Sequence, residues 1–97
     1  MLPRIVEILD YKDFKAITRW TTNEIRCIDF SKLVVGYPEL LRNEILTKEI
    51  FSTISYNKES RTIFFPNLLS YQDEKGNVAL GELDFCPDVL YANSEIF

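Results

Sequence analysis

The sequence predicts an α+β fold: an N-terminal three-stranded antiparallel meander, one or two short helices, then further antiparallel strands with a C-terminal hairpin and a short terminal helix. Three observations carry that expectation. Phe14 to Trp20 alternates with a period of two, placing Phe14, Ala16, Thr18 and Trp20 on one face and Lys15, Ile17 and Arg19 on the other. Helix formers dominate from Pro38 to Phe51. Arg61-Thr62-Ile63-Phe64-Phe65 is the most strand-like run, and beyond it two apolar stretches flank the polar, glycine-bearing connection Asp73 to Asn77.

The elements follow in order. Ile5, Val6, Ile8 and Leu9 make Arg4 to Lys12 the first strand, and a tight turn at Asp13 leads into the second. Thr21 to Glu24 is a polar turn, and Ile25 to Phe30 returns as a third strand in hairpin with the second. Ser31 is placed to cap the next turn, with Lys32 to Gly36 as turn or loop. Pro38 suits a first helical position, while Asn43 and Thr47 are possible internal caps, so two short helices are as plausible as one long one. Ser52 to Tyr56 reads as extended and Asn57 to Ser60 as a turn. Pro66 is expected to end its strand, because proline has no N–H for a ladder. Leu68 to Gln72 and Val78 to Phe85 then form a hairpin, and Pro87 to Asn93 a terminal helix with Asp88 in its first turn.

Composition sets the functional limits. With 97 residues, 46% hydrophobic and 27% charged, and only 3 Gly and 4 Pro, the chain reads as one domain over residues 1–97, without linker or repeat. Histidine is absent, so neither a Ser-His-Asp nor a Cys-His machine can be assembled from this chain. Cys27 and Cys86, with 58 residues between them, cannot hold a structural zinc by themselves. Met1 to Ile5 lacks a signal-peptide pattern, and no apolar run nears the ~20 residues that span a bilayer. A cytoplasmic chain with free thiols, no membrane contact and no cofactor is expected.

Charge is unevenly divided. Residues 1–50 hold eight basic and eight acidic side chains, whereas residues 51–97 hold three basic and seven acidic, which accounts for the whole net charge of −4. Beyond Lys75 there is no further cation, while Glu82, Asp84, Asp88 and Glu95 follow. Such a surface repels a phosphate backbone and suits a basic protein, so direct nucleic-acid binding is not expected. Glu82, Asp84, Asp88 and Glu95, with Tyr91 as an aromatic anchor, are the candidate partner-binding residues. The competing explanation for Glu82 and Asp84 is a solvent-facing side opposite Leu83 and Phe85. Cys86 precedes a helix start, yet Asp84 and Asp88 beside it disfavour a thiolate, and a small buried filler is the preferred role.

The opening Leu2-Pro3-Arg4-Ile5, the segment Arg26-Cys27-Ile28-Asp29-Phe30-Ser31-Lys32-Leu33, the strand closing in Pro66-Asn67, and the ending Asp84-x-x-Pro87-Asp88-x-Leu90-Tyr91 together resemble the small bacterial family called domain of unknown function 2442. In that family the closing Asp-x-x-Pro usually follows the Pro-Asn turn within a few residues, whereas here Leu68 to Leu83 intervene, an extended hairpin particular to this chain. The resemblance implies a compact α+β domain with no established enzyme activity, often encoded beside a small basic protein in an arrangement like a toxin-antitoxin pair. The leading expectation is therefore a non-catalytic, antitoxin-like interaction domain. A small-ligand or regulatory module, with a pocket between sheet and helix and dimerising through a hairpin edge, is the alternative. A carboxylate enzyme would need a metal at Glu82 and Asp84.

Overall fold

A computed structural model describes residues 2–72, 75–76 and 78–97. Two antiparallel sheets share one hydrophobic core. The first has the order β1-β2-β3-β7 and comprises β1 (Ile5–Lys12), β2 (Lys15–Trp20), β3 (Ile25–Asp29) and β7 (Ser94–Ile96). The second has the order β4-β5-β6, from β4 (Ser55–Asn57), β5 (Thr62–Gln72) and β6 (Val78–Asp84). Between β3 and β4 run α1 (Phe30–Leu33), a 3-10 turn (Val34–Gly36), α2 (Glu39–Ile45) and α3 (Lys48–Phe51); α4 (Pro87–Ala92) precedes β7.

The α+β class and the opening meander are as expected. Ala16, Thr18 and Trp20 are fully buried along one face of β2, and their partners Ile28 on β3 and Ile5 on β1 are buried with them. A two-residue turn, Asp13-Phe14, joins β1 to β2, and both residues have positive φ, 52° and 64°. That is the backbone of a type I′ hairpin, where glycine or asparagine normally stands. A phenylalanine there costs about 1–2 kcal/mol of backbone strain.

Several local expectations are corrected. Asp29, not Ser31, caps α1: its carboxylate accepts from the Ser31 N–H at 3.0 Å and hydroxyl at 2.6 Å. A carboxylate two residues earlier, at the N-cap, reaches the free amides better than a hydroxyl already inside the helix. Lys32 to Gly36 is not a loop but completes α1 and the 3-10 turn. Pro38 stands one residue before α2, with extended ψ of 141°, rather than inside it. Two short helices form because Thr47 caps α3, its side chain accepting from the Ile50 N–H, whereas Asn43 sits within α2. The strand expected over Ser52 to Tyr56 shrinks to Ser55–Asn57, because the Ser52 and Thr53 hydroxyls bond back to Glu49 and Ile50 carbonyls and hold a turn.

Pro66 does not end its strand. Phe65 pairs with Leu83 and Leu69 with Gly81, so four steps on β5 meet two on β6, and the proline falls within this irregularity, where strands tolerate a residue without an N–H. Gly76, at φ +81°, supplies the positive dihedral expected of the β5–β6 connection, while Asp73, Glu74 and Asn77 lie outside the described residues. The base of this hairpin belongs to the core: Leu68 and Phe85 are buried and Leu83 packs on the same cluster. Unexpected from the sequence is β7, which pairs with β3 through Arg26–Ile96, Cys27–Glu95 and Ile28–Ser94 and makes the first sheet four-stranded.

Phe30 is the hub of the interior. Fully buried at the start of α1, it meets Phe51, Phe65 and Phe85 edge-on at 5.5, 5.8 and 5.5 Å between ring centres. Those rings come from α3, β5 and the residue after β6, so one side chain ties both sheets to the helical segment. At Ile5, the Tyr56 hydroxyl donates to the Ile5 carbonyl and the Ile5 amide to the Arg61 carbonyl, joining the first sheet to β4 and to the turn before β5. Truncating this hub as Phe30→Ala should lower unfolding free energy by about 3–5 kcal/mol in urea titration, the usual cost of an aromatic-sized cavity.

Candidate functional site

The structure distributes the five predicted partner-binding residues over three places. Glu82 and Asp84 are exposed on β6, an edge strand, with Leu83 and Phe85 turned to the core, the arrangement the alternation predicts. Glu95 is exposed on β7, an edge of the other sheet, opposite Cys27. Asp88, in the first turn of α4, forms an ion pair with Arg4 at 2.9 Å. Among the described residues, neither Glu82, Asp84 nor Glu95 has an ion-pair partner.

Tyr91 is committed inward. Its ring meets Trp20 edge-on at 5.2 Å and lies under the Arg26 guanidinium at 4.3 Å, while its hydroxyl donates to Glu24. Arg26 in turn pairs with the other Glu24 oxygen at 2.7 Å and donates to the Ser94 hydroxyl and carbonyl. This polar knot fastens α4 and β7 to the β2–β3 hairpin. Sequence reading missed it because its bonded partners, such as Arg26 and Ser94, lie up to 68 residues apart. The Tyr91 hydroxyl, then Thr22 and Arg26, hold the Glu24 carboxyl below its ordinary range, and the same carboxylate raises the Tyr91 phenol.

A second feature was not anticipated by residue. Where the β1–β2 turn meets α3, a surface cleft of about 290 Å³ is lined by Tyr11, Phe14 and Phe51, with Lys12, Asp13, Lys48 and Ser52 around its rim. Lys12 faces Lys15 across the hairpin. The alternation grouped Phe14 with Ala16, Thr18 and Trp20 on one strand face, whereas the structure puts Phe14 in the turn before β2, and nothing in the alternation showed that a helix 34 residues further on would bring Lys48 to the same cleft. On the outer face of the first sheet, Lys15, Cys27, Asp29, Lys32, Asn93 and Glu95 line a smaller polar notch of about 130 Å³. Burial pushes the Asp29 carboxyl up, but the Ser31 hydroxyl and amide, with Lys15 and Lys32 nearby, outweigh it and leave the group below its ordinary range. Cys27 is half-buried, whereas Cys86, at the N-cap of α4, is exposed and so is not the buried filler expected of it; both are free thiols.

Among the described residues no group of three or more Cys, Asp or Glu side chains is arranged to hold a metal, and no helix is long and apolar enough to cross a membrane. Compared with known proteins, the chain matches no family model, no curated protein and no solved structure.

The knot has a pH signature. Glu24 titrates lower in the folded protein than the 4.5 of a free glutamate, so its contribution is present above about pH 4.5 and is lost as pH falls through the lowered value. Tyr91 titrates above the ordinary 10.0, so its share is present below pH 10 and is lost as pH rises through the raised value. Urea midpoints measured across pH should show the wild-type advantage over Glu24→Gln shrinking in acid, and that over Tyr91→Phe shrinking at both extremes.

Proposed function

We propose that this chain is a non-catalytic protein-interaction domain, the acidic, antitoxin-like member of a bacterial two-protein module, which receives a basic partner on the β6 edge. The observation that carries the reading is that β6 ends its sheet with Glu82 and Asp84 exposed and, among the described residues, without cationic partners. An edge strand offers unpaired N–H and C=O groups to a strand or loop from another protein. Carboxylates along it select for cations and against a second copy of the same edge, whose like charges would face it. The resemblance to domain of unknown function 2442 supports the same reading through its small basic neighbours, and a cytoplasmic setting goes with it.

Asp88 and Glu95 contribute to the long-range field that draws such a partner in, rather than to one contiguous patch, since Asp88 is already paired with Arg4. Tyr91 acts in this reading by holding α4 in place. The terminal helix is thereby fixed next to Asp84 and Cys86.

Co-expression with the protein encoded beside it, followed by gel filtration at about 50 mM and about 500 mM salt, tests the proposal, because rim charges are screened over that range. A complex should elute at low salt and weaken at high salt, and the double variant E82K/D84K should bind at least about tenfold more weakly, a loss of about 1.4 kcal/mol. No complex at either salt, or one indifferent to the charge reversal, would refute it.

A further inference from the structure

We propose that the cleft between the β1–β2 turn and α3 binds a small planar aromatic carboxylate. Its walls are rings: Phe14 and Tyr11 stand edge-on to Phe51 at 5.4 and 6.1 Å, and Phe51 is 4% exposed, so the floor is fixed in the core while one side stays open. Rings in that arrangement present faces and edges on which another flat ring stacks. The volume, about 290 Å³, lies at the small end of ligand pockets and suits a single substituted ring.

The rim sets the charge of the guest. Lys12 and Lys48 reach it from opposite elements, β1 and α3, and neither has an ion-pair partner among the described residues. Asp13 is the one acid in the lining. Two ammonium groups over an apolar floor suit one carboxylate. Apolar walls and the chain's net charge of −4 disfavour a polyanion.

Backbone strain points to the same place. At φ +64° glycine would serve the turn without penalty, yet Phe14 occupies it and supplies a wall of the cleft. Strained residues kept against backbone preference cluster where a site needs their side chains.

The cleft shares no residue with the β6 edge, so the two proposals stand or fall separately. The test is a titration of the whole protein with 4-hydroxyphenylacetate, followed through backbone amide shifts in a two-dimensional nitrogen-proton spectrum. Saturable shifts confined to Tyr11 to Lys15 and Lys48 to Ser52 are expected, with Kd on the order of 1 mM or tighter. The Lys12→Gln/Lys48→Gln variant, altered only at the rim, should keep the wild-type spectrum elsewhere and bind about tenfold more weakly. Tyramine, with the same ring but a cationic tail, and cyclohexylacetate, with the acid but no aromatic ring, should both bind more weakly. The proposal is overturned by the absence of shifts at those amides up to about 10 mM ligand, by equal binding of tyramine, or by unchanged affinity in the lysine variant.

Discussion

The packing of four phenylalanines, Phe30, Phe51, Phe65 and Phe85, is the interaction on which the rest of this structure depends. Neither the four-stranded nor the three-stranded sheet can bury its apolar face without a second layer against it, and only short helices lie between them. Edge-on rings solve this by reaching across the gap from α1, α3, β5 and the end of β6 at once. Each ring also fills volume that aliphatic side chains on such short elements could not. Tyr37, stacked on Phe85 at 6.1 Å, extends the cluster to the segment before α2, and burial raises its phenol above the ordinary range.

What lies around this cluster is polar fastening rather than more core. Thr18 shows the pattern: fully buried, it accepts from the Trp20 indole at 2.9 Å and donates to the Arg26 carbonyl. Thr62 likewise donates to the Phe85 carbonyl at 2.6 Å. Among the described residues, no buried side-chain nitrogen or oxygen lacks a partner. Polar groups inside so small a body would otherwise cost more than the cluster can offset. The Glu24–Arg26–Tyr91–Ser94 knot is the largest example, and it recruits the last strand to the first sheet.

One consequence is a surface with two different ends of chemistry. The strained β1–β2 turn and α3 gather lysines over aromatic walls, whereas the β6 edge displays carboxylates. The even charge balance of residues 1–50 concealed the first, because Glu and Asp from that half, such as Glu7 paired with Arg19, are spent elsewhere on the surface.

Local chemistry written along the chain determined the α+β class, the grouping of Ala16, Thr18 and Trp20 on one face of β2, the glycine-bearing turn at Gly76 and the outward side of Glu82 and Asp84, and it offered Asn43 and Thr47 alike as caps between one or two helices. Each depends on spacing or on one residue's own dihedral and hydrogen-bonding habits, which operate within a few positions. Tertiary structure alone decided the rest. Ser94 to Ile96 becomes a strand only because β3 offers it an edge and Arg26 grips Ser94, and Pro66 stays within a strand only because β6 accommodates the irregularity. The inward fate of Tyr91 and the presence of Lys12 and Lys48 around one cleft likewise depend on partners far away in sequence, and groupings of that kind leave no periodic trace.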